Sequence, residues 1–315
     1  MRIYGPVPSR RFGLSLGVDL VPHKTCSFDC IYCQLGPTDH LTGELQDFFE
    51  VDEILADVKE VLEDGPRPDV ITFAGSGEPT LYRSLGDLVD RLRRVADIPI
   101  LLITNSTQLW REEVAKAVQK VDILAPSLDA GDEATYRHIN RSHPDIPLDK
   151  LLRGLVDVTH SFEGEIRLEV MLIRDINDDE KNLKSIARLL DDLRFDQVDV
   201  NTPVRPPVPE RGALPCYQDT LDRALELFGP KAKAIGAFTK RVQKTEGQAR
   251  SFSDLDKDIR EMLLRRPCTL DDIASSLGLE RLEVERSLER LTSAGLVDSH
   301  PDQGYYYVPA SPRHR

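Results

Sequence analysis

Residues 23–36 read "HKTCSFDCIYCQLG" and place Cys26, Cys30 and Cys33 within eight residues of a 315-residue chain that has only two other cysteines. Three thiols cannot all pair as disulfides, and they fall one short of a closed tetrahedral metal site. The trio comes directly after an apolar run, "LSLGVDLV" (14–21), that reads as a strand. It therefore lies in the loop leaving the first strand of whatever sheet the chain builds.

Outward from that loop, strand-like and helix-like segments alternate. The further candidate strands are "DVITFAG" (69–75), "PILLITN" (99–105), "DILAPSLD" (122–129), "IRLEVMLI" (166–173) and "QVDVNTPV" (197–204). They are almost continuously apolar, as parallel strands covered on both faces must be. Between them, Val51, Ile54, Leu55, Val58 and Leu62 recur at helical spacing in "FEVDEILADVKEVLED". "LGDLVDRLRRVA", "LDKLLRGLVDVTHSF" and "DDEKNLKSIARLLDDL" repeat the pattern. About six strand–helix units in strict alternation predict an α/β fold with a parallel sheet, a partial (β/α)6 TIM-like barrel. An open doubly wound sheet gives a similar pattern, and periodicity does not separate the two.

The alternation stops at a Pro-rich stretch, "PVRPPVPERGALP" (203–215). Three helical signals and a hairpin follow: "DLDKDIREMLLRRP", "TLDDIASSLG", "ERLEVERSLERLTSAG" and "LVDSHPDQGYYYVP". Gly278 and Gly295 stand where the second and third helices should stop. Asp302-Gln303-Gly304 marks a turn. This is the pattern of a winged helix-turn-helix. The expected domains are 1–240 for the barrel, 241–252 for a linker and 253–315 for the winged helix.

Thiolates at C-x3-C-x2-C spacing can hold three corners of one iron–sulfur cube and leave the fourth iron open to a substrate or cofactor. Three competing readings remain. A Cys3His zinc site would recruit His23, but it lacks the second separated ligand pair usual in structural zinc sites. Packing as small hydrophobes suits one cysteine better than three. A four-cysteine cluster would need Cys216, in the Pro-rich stretch, or Cys268, in the C-terminal helices.

The trio, with the aromatic Tyr32 before its last cysteine, resembles the signature of the radical S-adenosylmethionine (radical SAM) superfamily. "FAGSGEPTLY" (73–82), at the end of the second strand, resembles that family's Gly-Gly-Glu-Pro segment. The resemblance spans roughly residues 13–205. It implies an enzyme in which Cys26, Cys30 and Cys33 hold a 4Fe–4S cluster. The methionine amino and carboxylate groups of S-adenosyl-L-methionine would chelate the fourth iron. Reductive cleavage of that cofactor would then yield a 5′-deoxyadenosyl radical for hydrogen abstraction. It further implies a cofactor site with Tyr32 and with Gly75, Ser76, Gly77, Glu78 and Pro79, the Glu78 carboxylate serving as a clamp for an ammonium group. The ends of later strands add Asn105, Ser127, Asp129, Glu169 and Asn201. An electron donor such as flavodoxin or ferredoxin is the implied partner, and the substrate class stays open among small molecules, peptides and RNA nucleosides.

Within the superfamily, residues 4–36 look most like the tRNA wyosine-synthesis enzymes. Those enzymes carry upstream cysteines for a second cluster, and this chain has none before Cys26. Their reaction is not carried over. Arg10, Arg11 and Arg205 flank the expected barrel mouth, where solvated arginines are the common case.

Charge and hydropathy narrow the partners. A formal net charge of −13 argues against a sequence-independent grip on nucleic-acid phosphates. The third C-terminal helix mixes Glu280, Glu283, Glu285 and Glu289 with Arg281, Arg286 and Arg290. That mixture suits docking of a substrate or a protein better than DNA. The alternative is a winged-helix regulator that senses a metal or cluster. No apolar run approaches the roughly 20 residues that span a bilayer, and "MRIYGPVPSRRFG" lacks a signal-peptide core. The expectation is a cytoplasmic protein without a membrane segment.

Overall fold

All six expected strands form and lie side by side in chain order. The computed structural model describes residues 2–9, 11–203, 213–235, 252–265, 268–277, 279–300 and 305–308. The chain divides into two compact units, residues 1–237 and 238–315.

The first unit begins with β1 (Ile3–Ser9), β2 (Gly13–Val18), the short pair β3 (Thr25–Cys26) and β4 (His40–Leu41), then α1 (Val51–Asp64) and β5 (Val70–Phe73). It continues with α2 (Leu85–Leu92), β6 (Ile100–Thr104), α3 (Glu112–Val118), β7 (Ile123–Pro126), α4 (Glu133–Asn140) and α5 (Leu148–Ser161). β8 (Glu165–Met171), α6 (Glu180–Leu190), β9 (Gln197–Asn201), α7 (Gln218–Phe228) and β10 (Ala232–Ala234) complete it.

The main sheet runs β1-β2-β5-β6-β7-β8-β9-β10. Only the β1–β2 pair is antiparallel. A doubly wound sheet reverses its direction of travel at a switch point. Here each crossover steps one strand onward, so right-handed connections put every helix on one face. That winding is barrel-like. The sheet keeps two edges, β1 and β10, among the described residues.

Two strands of the main sheet were missed by the periodicity. β1 carries Gly5, Pro6 and Pro8, which suit only an edge strand. β10 has three residues and gives a seventh parallel strand where six were expected.

Strand residues alternate between two environments. In β8, Ile166, Leu168 and Val170 are buried under the helices, while Arg167, Glu169 and Met171 are half-buried on the opposite, concave face. Helix α2 meets the sheet with Leu85, Leu88, Val89 and Leu92. At the N-terminal ends of the strands, Phe12 packs with Val70, Leu101 and Ala125 in a separate apolar layer. Its residues alternate along the strands with Ile71, Leu102 and Leu124 of the main core, so the layer lies on the opposite sheet face.

The second unit holds α8 (Phe252–Arg265), β11 (Cys268–Thr269), α9 (Leu270–Leu277), α10 (Arg281–Ser293), β12 (Asp298–His300) and β13 (Tyr305–Tyr307). Its sheet order is β11-β13-β12. Ile259, Leu263, Ile273, Val284, Leu288 and Leu291 form its core, together with Cys268 and the neighbouring buried Tyr305. Three helices with a small sheet make a winged helix. Gly295 ends α10 at φ +67°, in the left-handed region that favours glycine. Arg10, Arg205, Gly278, residues 241–251 of the expected linker and the turn at 302–304 lie outside the described residues.

Candidate cofactor site

The cysteine loop is fastened on every side. β3 pairs with β4, and Thr25 also bridges Gly77. Lys24 N donates to Ser76 O at 2.7 Å, and Glu78 N donates to Thr25 O at 3.2 Å. Further along, Asp29 N and Ile31 N donate to the carbonyls of Asn140 and Ile139, at 3.0 and 2.9 Å. Phe28 packs edge-on against Tyr136, and the Ser27 and Thr107 hydroxyls lie 2.6 Å apart. The Tyr32 hydroxyl donates to Asp129 Oδ2 at 2.5 Å. The loop leaving β2 is thereby joined to the ends of β5, β6 and β7 and to the last turn of α4.

The three thiols are half-buried residues facing one another's fields. Burial, followed by the nearby Glu78 carboxylate, pushes the Cys26 thiol up to about 12. Burial, followed by Cys26, pushes Cys30 well above its ordinary value. Such thiols ionise only beside a compensating positive centre. Among the described residues no three cysteine, histidine or carboxylate side chains converge as a site for one metal ion. A single zinc ion would draw its sulfurs to about 2.3 Å from one point. Three thiols carried by one loop are the kind of donor set that an iron–sulfur cluster takes.

The "GSGEP" segment is shaped by contacts within the protein. A Cβ at Gly77 would lie 1.8 Å from Thr25 O, and one at Gly75, where φ is +140°, would lie 1.9 Å from Asp19 Oδ1. Asp19 then accepts Ser76 N at 2.6 Å and Ser76 Oγ at 3.0 Å. Glu78 is buried, and its carboxylate accepts four hydrogen bonds. They come from Thr80 N (3.0 Å), Thr80 Oγ1, Thr104 Oγ1 (2.7 Å) and Asn105 N (2.7 Å). Burial nevertheless holds its pKa above the ordinary carboxylate value. The expected ammonium clamp is largely spent on the protein, capping the 3-10 turn at Pro79–Leu81 and pinning β6. Gly75 is exposed and Ser76 and Gly77 are half-buried, so main chain rather than the carboxylate faces outward here.

Other expected residues divide in two. Asn105 reaches the loop directly: its Nδ2 lies 3.5 Å from Cys26 Sγ and 3.0 Å from Ser27 Oγ. Asp129 is buried and accepts from Tyr32, from Asn140 Nδ2 (2.7 Å) and from Met171 N (3.0 Å). Burial raises its pKa despite those donors. Ser127 sits beside Glu169 through a backbone bridge, and its carbonyl accepts Ser106 Oγ at 2.9 Å.

Glu169 turns the other way. Its carboxylate pairs with Arg11, which also meets the fully buried Asp199 at 3.1 Å. Arg167 meets Asp199 from the other side at 3.2 Å. Arg11, expected on the surface, is thus a half-buried residue paired to two carboxylates. Asn201 ends β9 half-buried, its carbonyl accepting Leu172 N at 2.8 Å. Sequence reading missed Asp19, Ser27 and Asn140. A lone carboxylate in "LGVDLV" was a usable signal for the first. Asn140 gave none.

Residues 20–187, over half of the chain, match the family model described as the radical SAM superfamily. A UPF0026 protein from Methanocaldococcus jannaschii is 33% identical over 313 residues, covering 97% of this chain and 95% of that one. The chain is a radical SAM enzyme of the UPF0026 family. Its cofactors are accordingly a 4Fe–4S cluster and S-adenosylmethionine.

A Brachyspira hyodysenteriae protein named GTPase Obg is 36% identical over 296 residues. The match covers 94% of this radical SAM chain but 43% of that relative, so the chain spans less than half its length. A solved radical SAM methyltransferase from Sphaerobacter thermophilus superposes with a TM-score of 0.52 at 19% identity, over 70% of this chain and 65% of that one. That likeness concerns the fold. Residues 251–313 match a family described as the sugar-specific transcriptional regulator TrmB. No helix among the described residues is long and apolar enough to cross a membrane.

Proposed function

We propose that Cys26, Cys30 and Cys33 hold the cluster and that the enzyme abstracts hydrogen from its substrate. One observation carries this reading: the cysteine loop and the Gly–Ser–Gly–Glu–Pro segment are joined by backbone hydrogen bonds at the C-terminal strand ends. A bound, reduced cluster would supply the one electron needed to split S-adenosylmethionine into methionine and a 5′-deoxyadenosyl radical.

The chain's own residues bind and orient. The outward-facing main chain of residues 75–77 offers carbonyls to the cofactor's ammonium group. Glu78 keeps that main chain in place by tying it to Thr104 and Asn105. Tyr32 and Asp129 hold the last turn of the cysteine loop against β7. Ser127 and Asn201, at neighbouring strand ends, are assigned to the nucleoside part of the cofactor. The Phe12 layer excludes water from the far end of the concave face.

Anaerobic reconstitution tests the assignment. Four irons per chain are expected, following cubane stoichiometry at about four irons per cluster. Dithionite and S-adenosylmethionine should then release 5′-deoxyadenosine. Ala in place of Cys26, Cys30 or Cys33 should abolish both, whereas Cys216→Ala and Cys268→Ala should retain both. Tightly bound zinc after reconstitution would refute the reading.

The C-terminal match favours a second role for the second unit, because the matched family is named for regulation. Its third helix argues for docking a substrate or protein over docking DNA. Glu280 and Glu283 form its capping box, and Arg290 is paired to Asp256 at 2.6 Å. A chain ending near residue 245 should keep its iron and its uncoupled cofactor cleavage. Tight DNA binding by the full-length protein at physiological salt would favour the regulator instead.

A further inference from the structure

We infer that Asn105 and Asn140 set the reduction potential of the cluster by donating side-chain N–H groups to the sulfurs of Cys26 and Cys30. The inference rests on the cysteine assignment above. Asn105 Nδ2 is 3.5 Å from Cys26 Sγ, and Asn140 Nδ2 is 3.6 Å from Cys30 Sγ. These are ordinary distances for a hydrogen bond to sulfur.

Both amides are held with the nitrogen toward the sulfur. Asn105 Oδ1 accepts Thr107 N at 3.1 Å and Thr107 Oγ1 at 2.7 Å, so its oxygen end is committed. A backbone N–H can only donate, and this settles which end of the amide faces it. Asn140 Nδ2 also donates to Asp129 Oδ2 at 2.7 Å, and a carboxylate bonded by Tyr32 requires the NH2 end there. Asn140 is buried, as are Ser27 and Thr107 beside Asn105. In surroundings this dry a dipole acts strongly on a nearby charge.

Reduction places electron density on the cluster and its thiolates. Donors aimed at those sulfurs stabilise the reduced state more than the oxidised one, which raises the potential. The placement is economical: the carbonyls of Ile139 and Asn140 hold the loop, and the side chain of Asn140 addresses its sulfur. Asn105 does the same for Cys26 from the end of β6. Both are positioning residues, since neither ligates the cluster.

The test is an EPR-monitored redox titration of full-length, anaerobically reconstituted Asn105→Leu, Asn140→Leu and the double variant, with iron counted in each. Leu has the same branched heavy-atom skeleton as Asn and no side-chain N–H. The midpoint potential should move negative in each single variant and further in the double, with iron content unchanged. Retained iron with an unchanged midpoint would overturn the tuning role and leave the cysteine assignment standing. Absence of a cluster from the wild type would overturn both. If a Leu variant loses its iron, ENDOR on reduced wild-type protein carrying 15N-labelled asparagine decides: a nitrogen coupling supports the inference, and none refutes it.

Discussion

Gly77 and Thr25 approach so closely that a Cβ at position 77 would lie 1.8 Å from the Thr25 carbonyl oxygen. The contact also carries the bridge between the cysteine loop and the end of β5. Gly77→Ala must push the two segments apart. We expect a loss of about 1–3 kcal/mol, the usual cost of overpacking, together with reduced iron uptake. Urea unfolding and iron analysis check the two effects. A variant with wild-type stability and iron would show that this contact is dispensable.

Glu78→Gln changes an acceptor-only group into one that is half donor. With Thr80 N and Asn105 N both needing an acceptor, the new NH2 must face at least one other donor. The expected cost is roughly 1–3 kcal/mol of stability. It should exceed any change in cofactor affinity measured at a temperature where the variant stays folded. Weakened cofactor binding at unchanged stability would return Glu78 to the role of a direct ammonium clamp.

Asp132 caps α4, the helix whose last turn holds the cysteine loop. Its side chain accepts Thr135 N at 3.0 Å, and that bond holds its pKa below the ordinary carboxylate value. A lowered folded-state pKa means that the stabilisation is present above the unfolded value of about 3.9 and fades as pH falls through the folded value. Asp132→Ala should cost about 0.5–2 kcal/mol near neutrality. The gap between variant and wild type should narrow below about pH 4. Chemical denaturation at several pH values measures it, and a gap independent of pH would contradict the cap.

Arg11→Ala should strand Glu169 and the fully buried Asp199 on the concave face, with Arg167 the remaining partner of Asp199. Removing one member of a buried ionic group typically costs about 3–5 kcal/mol. The lower end is expected here because Arg167 remains. Adding Glu169→Gln to Arg11→Ala should recover part of the loss. No recovery in the double variant would mean that Arg11 acts through packing on Phe12, whose ring lies 5.4 Å from its guanidinium carbon.

Much of the fold was legible because strand and helix periods depend on neighbours along the chain. The six apolar runs from 14 to 204 became adjacent parallel strands, and the three helical signals after residue 252 became a winged helix. Short or polar elements were not legible. β1 is punctuated by prolines, β10 has three residues, and α4, "EATYRHIN", has little apolar character for a pattern to show.

By itself the sequence determined the close spacing of Cys26, Cys30 and Cys33 and their place after the apolar run that forms β2, because neighbours along the chain set both. Only the tertiary structure decided which side chains serve that loop. Asn105 and Asn140 reach Cys26 and Cys30 from 79 and 110 residues away. Glu78 is spent on β6, and Glu169 answers an arginine 158 residues upstream. Such partners meet through successive crossovers of the sheet, and no local pattern records a contact that depends on how several strands are laid side by side.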